Sequence, residues 1–341
     1  MKKVLVLTGM AGFIGMNLLK ALVKENTLLR SYSDIISIDK MGYATTCNSL
    51  EYYKICYLNC IISVDENIND LNAPNVINRL CFRPDKLNDV RYDVVSLASE
   101  SHVDNSIKNP YGIFVENVNI PVSLVQWLGI TNINKYVHIS TDEVYGDLPI
   151  DCKFEDWFDL DSPLHPNNPY SASKAAQDCF LLSLKHTFGL NLKMIRLANQ
   201  FGPYQHPEKM LPATILRAIQ GQPIKIYGKG LNVRQWTPVV DSVNVIIDVI
   251  SGKINDNLTH IANIVGAINN NDVVEIWRDI LEKDFKIFTT TEFIEDRKGH
   301  DLMYAIKTTV DVNKCFSSNN SRFMETIAHY IMNKDNYLRK S

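Results

Sequence analysis

Lys2-Lys3-Val4-Leu5-Val6-Leu7-Thr8-Gly9-Met10-Ala11-Gly12-Phe13-Ile14-Gly15 starts as an apolar run, turns through three glycines and enters a helical pattern at Leu18, Leu19, Leu22 and Val23. A strand, a glycine-rich turn and a helix form the opening unit of a Rossmann-like, doubly wound α/β fold. Gly9 permits the tight turn, Gly12 lets backbone N–H groups approach a pyrophosphate, and Gly15 lets helix and strand pack closely. Phe13 and Ile14 complete the turn, so the helix N-terminus faces the phosphates. The spacing is Gly-x-x-Gly-x-x-Gly rather than Gly-x-Gly-x-x-Gly, a weak nucleotide signal when it stands alone.

The flanking sequence strengthens it. Residues 34–39 read as a second strand ending in Asp39, whose carboxylate can accept both hydroxyls of an adenosine ribose and repels a 2′-phosphate. The expected cofactor is therefore NAD rather than NADP. Residues 47–92 are the least readable part, with candidate strands at 55–58 and 61–64 and an Asn-rich stretch at 67–78. They offer no residue that can be assigned to the adenine. A buried strand at 92–98 follows, bringing Ala98 to the cofactor and leading into Ser99-Glu100-Ser101-His102-Val103-Asp104. A long amphipathic helix is expected from after Pro110 to Leu128, with Asn117 in its first half.

The apolar run 136–139 reads as another buried strand, and it delivers Ser140-Thr141-Asp142-Glu143-Val144-Tyr145-Gly146 at its carboxyl end. Open α/β sheets hold their ligands there. Farther on, Tyr170 and Lys174 share one face of a helix that runs to His186. A neutral tyrosine with a pKa of about 10 is a poor base. A nearby ammonium and a positive nicotinamide ring would lower that value. Tyr330 and Lys334 repeat the spacing on what reads as a surface helix, where it carries no chemistry. A hydroxyl, a Tyr–Lys pair and two carboxyls are more than a plain dehydrogenase needs.

Residues 147–169 read as a loop over the site, and 192–197 as the next strand. The pattern changes beyond Ala198. A polar, aromatic stretch (199–209) is followed by a helix (211–220), a strand (224–227), Arg234-Gln235-Trp236, an apolar helix (239–250), a strand (260–265) and a terminal helix (322–333). The fold class is α/β, a Rossmann-like parallel sheet with a smaller α/β domain.

Composition narrows the partners. The 341 residues are 45% hydrophobic and 21% charged, with net charge −3 and no basic block, so neither nucleic acid nor anionic membrane is indicated. No apolar run reaches the roughly 18 residues of a membrane span. The glycines interrupt the apolar start, so strand-turn-helix explains it better than a signal peptide. Seven scattered cysteines without a Cys-x-x-Cys pair point to neither a disulfide framework nor a structural zinc site, and no metal is expected. The expected location is the cytoplasm.

The set TGMAGFIG, SLASESHVDNSI, STDEVYG, NNPYSASKAAQD, NQFGPYQHPEK, RQW and DRKGHD, spread over nearly the whole chain, resembles the nucleotide-sugar 4,6-dehydratases of the extended short-chain dehydrogenase/reductase family. Asp142-Glu143 discriminates, because sugar 4-epimerases of that superfamily lack the acid pair. The resemblance implies an NAD-dependent lyase acting on a nucleoside-diphosphate glucose, dTDP-glucose or UDP-glucose. Tyr170 would take the 4-OH proton, assisted by Thr141 and Lys174, Glu143 would remove the C5 proton, and Asp142 would protonate the departing 6-OH. One carboxyl must be ionised and the other protonated, and adjacent acids can split their pKa values that way.

Ser101, Asn199, Lys209, Tyr227, Arg234 and His300 are the implied substrate-binding residues, with Asn199, Lys209 and Arg234 on the diphosphate and Tyr227 at the base. The family's Asn-Asn-Tyr-Gly-Pro is Asn199-Gln200-Phe201-Gly202-Pro203 here, and its Arg-x-Trp-x-Tyr-Val is Arg234-Gln235-Trp236-Thr237-Pro238-Val239. These departures leave base and sugar open. The NAD-binding domain is expected at 1–197 plus about 235–255, and the nucleotide-sugar domain at 198–234 and about 256–341. A homodimer is implied, pairing the helices at 111–128 and 170–186 through Phe114, Val118, Leu124, Phe180, Leu181 and Leu184. An epimerase or decarboxylase on the same scaffold, or an NAD-binding regulatory protein, are the alternatives. A protein without turnover has no reason to keep Asp142, Glu143, Tyr170 and Lys174 together.

Overall fold

The apolar opening run forms β1 (Lys2–Thr8), and a seven-stranded sheet is built outward from it in a computed structural model that describes residues 1–45, 48–73, 89–262, 266–296, 300–310 and 319–338. On one side lie β2 (Asp34–Ile38) and β3 (Ile62–Val64). On the other lie β4 (Val90–Ser96), β5 (Ile133–Thr141) and β6 (Leu192–Leu197). Every pairing in this sheet is parallel, and the chain reverses its direction of travel between β1 and β4. That switch point leaves a crevice at the carboxyl ends of the strands.

Side-chain alternation along β1 feeds two apolar layers. Leu5 and Leu7 pack with Met16, Leu19 and Leu22 of helix Phe13–Glu25 and with Val243 and Ile246 of helix Val239–Ser251. Val4 and Val6 pack with Ile120 and Leu124 of helix Pro110–Leu128 and with Leu181 of helix Pro169–Phe188. Leu124, Leu181 and Leu184 are therefore core residues holding helices to the sheet, which corrects their expected place on an outer face. Phe114 does stay exposed, with Val115 and Leu182.

Beyond β6 the chain makes β7 (Asn199–Phe201), β8 (Ile224–Tyr227), β9 (Val233–Arg234) and β10 (Trp236–Pro238). The last part adds β11 (Leu258–Ile261), β12 (Ile268–Asn269) and β13 (Thr291–Ile294). β8 with β13, and helices Met210–Ile219, Asn270–Phe285 and Asn319–Met332, enclose a separate core around Phe201, Trp236, Trp277 and Phe323. β11, expected in the smaller domain with everything from about 256, is not part of this lobe. It hydrogen-bonds to β6 as the edge of the main sheet and stops at Ile261. Residues 263–265, 74–88, 297–299, Cys47, Cys81 and Cys315 lie outside the described residues.

Three local expectations change as well. Residues 55–58 fall in helix Ser49–Leu58, because Tyr52 and Cys56, four apart, are the positions that face the core. The segment 147–168 does not cover the site. Leu148 donates to Met303 O at 3.0 Å, Phe158 to Ala305 O at 3.1 Å, and the segment packs against the strip 303–307. Tyr330 is fully buried, donating to Gln205 O at 2.6 Å, and Lys334 begins a separate short helix, so this pair is not on a surface helix.

Candidate active site

The crevice begins at the turn after β1. Gly9 adopts φ +71°, and a Cβ there would meet Ala98 N at 2.7 Å. A Cβ on Gly15 would stand 2.2 Å from Gly9 O, so strand end and helix start touch backbone to backbone. Helix Phe13–Glu25 has Gly12 as its N-cap and no side chain capping it, which leaves its first N–H groups to an incoming anion. Asp39, buried at the end of β2, accepts from Ala11 N at 3.0 Å and Met41 N at 2.9 Å. Burial raises its carboxyl and these two bonds oppose the shift. The neighbouring Lys40, whose charge also opposes that shift, is paired with Glu116 at 2.5 Å. A backbone cradle, uncapped helix N–H groups and an acid beyond β2 fit NAD.

The floor is pinned by side chains. Thr8 Oγ1 accepts from Leu97 N and Ala98 N at 3.2 Å each, setting the end of β4. Fully buried Asn117 accepts from Glu100 N at 2.8 Å and donates to Ser173 Oγ at 2.9 Å, linking that loop to the helix of Tyr170.

β5 ends at Thr141, and the chain coils directly into a single turn, Asp142–Tyr145. Thr141 Oγ1 caps that turn by accepting from Glu143 N at 3.3 Å. Asp142 is 2% exposed, and burial first, then the adjacent charge of Glu143, pushes its carboxyl up to about 8. Its proton is therefore held more tightly than an ordinary carboxyl's, beside the more open Glu143. Asn168 caps helix Pro169–Phe188 by accepting from Ser171 N at 2.9 Å, which places Tyr170 in the first turn and Lys174 one turn on. Lys174 Nζ donates to Ile139 O at 2.8 Å, and burial lowers its ammonium to about 8. Tyr170 departs from expectation. Burial, then the charge of Glu143, raise its hydroxyl, and the bond from Thr141 opposes this. Burial beside Glu143, and not the expected lowering by Lys174, decides its state.

These groups line one cavity of about 620 Å³. Gly9, Gly12, Phe13, Ile14, Gly15, Asp39 and Ala98 line it from the cofactor turn; Thr141, Asp142, Glu143, Tyr170 and Lys174 line it from β5 and the next helix. Ser101, Asn199, Lys209, Tyr227, Arg234 and His300 complete it. Lys209 Nζ reaches Ser101 O at 2.9 Å. Arg234 is buried, donating to Asp301 O at 2.8 Å and Leu302 O at 3.2 Å, with its guanidinium 4.2 Å over the Tyr304 ring. His300 Nδ1 sits 2.6 Å from Asp296, with its ring edge-on to Tyr227.

Of the departures from the family pattern, Gln200 lines the cavity. Phe201 stacks on Phe323 in the lobe core, and Thr237 and Pro238 pair with β7 away from the cavity. Tyr43, Glu100, His102, His206 and Glu208, none of them expected at the site, meet at the cavity wall. Tyr43 donates to Glu100 at 2.9 Å, and Glu208 lies 3.5 Å from both His102 and His206. Four of them sit inside motifs already quoted, so clustering of charge within those motifs was the available signal.

Comparison with known proteins follows the same line. The model of the NAD dependent epimerase/dehydratase family matches residues 5–264. The low-salt glycan biosynthesis protein Agl12 of Haloferax volcanii is 33% identical over 304 residues, covering 89% of this chain and 90% of that protein. A dTDP-glucose 4,6-dehydratase of Streptomyces niveus is 32% identical over 308 residues, covering 89% and 84%. Among solved structures, DesIV, a dTDP-glucose 4,6-dehydratase from Streptomyces venezuelae crystallised with NAD, superposes with a TM-score of 0.83 at 29% identity, covering 99% of this chain and 100% of that one.

Proposed function

The chain belongs to the NAD dependent epimerase/dehydratase family, and within it to the nucleotide-sugar 4,6-dehydratases, and from that premise we propose that its substrate is dTDP-glucose and its product the 4-keto-6-deoxy sugar. The observation that carries this reading is the acid pair. Asp142 and Glu143 stand side by side at the end of β5, in one cavity with Tyr170, and burial raises Asp142 toward the protonated form that elimination needs as its acid.

NAD, held by the turn of Gly9, Gly12 and Gly15 and by Asp39, would supply the hydride acceptor for C4 and the donor for C6. Tyr170 takes the proton from the 4-OH, a role for which the positive nicotinamide ring and Lys174 must offset the burial that raises its hydroxyl, and Thr141 holds the sugar hydroxyl in line. The resulting ketone acidifies C5–H, which Glu143 removes while Asp142 protonates the departing 6-OH. Asn199, Lys209 and Arg234 are assigned to the diphosphate, and Tyr227 and His300 to the base. We assign substrate recognition to the lobe built on β7–β10, β12 and β13, and cofactor binding to the main sheet with β11.

The active form is assigned as a homodimer, supported by Phe114, Val115 and Leu182 exposed on the two helices that cover one sheet face. No helix among the described residues is long and apolar enough to cross a membrane. Product analysis with dTDP-glucose against UDP-glucose tests the substrate. Deuterium placed at C4 should reach C6, with solvent hydrogen entering at C5. Deuterium kept at C4 with inverted configuration would make the protein an epimerase.

A further inference from the structure

Behind the cavity wall, out of reach of any ligand, lies a buried charged network. Arg196 leaves β6 opposite Ser140 of β5 and is 3% exposed. Its Nε donates to Asp178 Oδ2 at 3.0 Å, and its Nη2 lies 3.0 Å from the same oxygen. Its Nη1 donates to the Tyr145 hydroxyl, and the guanidinium sits 4.7 Å over the Tyr145 ring. Asp178 is fully buried on the helix of Tyr170 and Lys174, and successive steps of four put all three on one face. Tyr145 closes the turn that carries Asp142 and Glu143. One guanidinium is therefore bonded to both elements that supply chemistry.

The network is satisfied at its outer end. The Tyr145 hydroxyl stands 2.7 Å from His260 Nε2, and His260 Nδ1 stands 3.1 Å from Lys307 O. Burial lowers the His260 imidazole to about 4, so it is neutral, with Nδ1–H donating to the carbonyl and Nε2 accepting from Tyr145. His138 Nε2 approaches Asp178 Oδ1 at 3.3 Å. A well-packed apolar pair would give similar stability without the cost of desolvating charge, so stability alone does not explain the arrangement.

We propose that Arg196 is a positioning residue that fixes the acid turn (Asp142, Glu143) against the oxidation helix (Tyr170, Lys174), so that elimination follows oxidation on the same bound sugar. The inference rests on the dehydratase reading. Only the step needing both elements at once depends on their relative placement; C4 oxidation uses Tyr170, Lys174 and Thr141, and Thr141 is fixed by β5 itself.

The test is stopped-flow kinetics with dTDP-glucose, following reduced-nicotinamide absorbance and 4-keto-6-deoxy product on the same sample. Tyr145→Phe removes one hydroxyl and leaves Arg196 paired with Asp178. Its oxidation rate should stay within about threefold of wild type, while product formation falls about 10–100-fold, the range expected from misplacing a reacting group by an ångström. Reduced nicotinamide should accumulate. Arg196→Lys keeps the charge but loses the planar fork that holds two partners, and it should show the same imbalance; it decides the matter if Tyr145→Phe does not fold. Equal loss of both steps, or wild-type balance in the folded variants, overturns the proposal while leaving the dehydratase reading intact. A wild-type protein that makes no 4-keto-6-deoxy product from any nucleotide-linked glucose overturns both.

Discussion

The turn at residues 9–15 and the wall of the small lobe both face the same cavity, yet they are built by opposite means. The turn works through backbone: a positive φ at Gly9, a helix start without a cap, and a Gly15 that lets two chain segments touch. The lobe works through side chains, with Arg234 held by carbonyls of residues 301 and 302 and His300 held by Asp296. A backbone site tolerates almost no change at its glycines, and a side-chain site can be retuned one residue at a time. The acid pair lies between them, placed by the end of a sheet strand but acting through carboxyl groups.

The largest effect is expected at that junction. Asp142→Asn or Glu143→Gln should cut 4-keto-6-deoxy product by about 10²–10⁴-fold each, the usual worth of a positioned acid or base, while NAD and substrate still bind. Near-wild-type product from both variants would remove the acid pair from the mechanism. Next comes the backbone side. Gly15→Ala puts a methyl into Gly9 O and Met10 Cα, and overpacking of this kind costs about 1–3 kcal/mol. Thermal unfolding should fall and NAD affinity weaken by roughly 10–100-fold; an unchanged NAD titration would show the turn to be looser than its contacts indicate.

The pH dependence separates the acid from its scaffold. Asp142 sits at about 8, above its usual 3.8, because it is buried. The native state therefore holds this proton more tightly than the unfolded chain. Its contribution to stability is fully present below about pH 4 and is lost as pH climbs toward 8. Product formation should fall above pH 8 as the acid loses its proton, and Asp142→Asn should flatten that limb of the profile. The smallest effect is expected in the lobe. Phe201→Tyr restores the family residue, but Phe201 faces Phe323 in the core. Substrate preference should stay within about twofold, while unfolding shows the cost, about 1–3 kcal/mol, of an unpaired buried hydroxyl. A changed preference for the base would mean this core reports to the cavity.

The same contrast explains what the sequence revealed. Backbone-built parts carry local signatures: the glycine spacing, the acid after β2, and the Tyr170–Lys174 step all follow from short-range geometry. Asp142-Glu143 was legible because adjacency in sequence is adjacency in space. What could not be read depends on distant partners. Nothing near Leu258 announces that it pairs with Met194. Helix Ser49–Leu58 carries three tyrosines and Ile55, residues that favour strands, and only burial of Tyr52 with Cys56 reveals its period. The Arg196 network needs residues from β6, a helix, a turn and β11 to meet, and no spacing encodes that.

The packing of 147–168 on 303–307 bears on how the protein is made. Leu148, Phe158 and the Tyr145 hydroxyl find partners at Met303, Ala305 and His260, residues that leave the ribosome long after the acid turn has been synthesised. Contacts of such long sequence separation form late, because loop-closure entropy must be met before they contribute. The turn bearing Asp142 and Glu143, capped by Thr141 and bonded to Arg196, gains its last partners only when residues 260 and 303–305 arrive. A nascent or truncated polypeptide can hold a formed dinucleotide turn while its acid pair is not yet set for elimination.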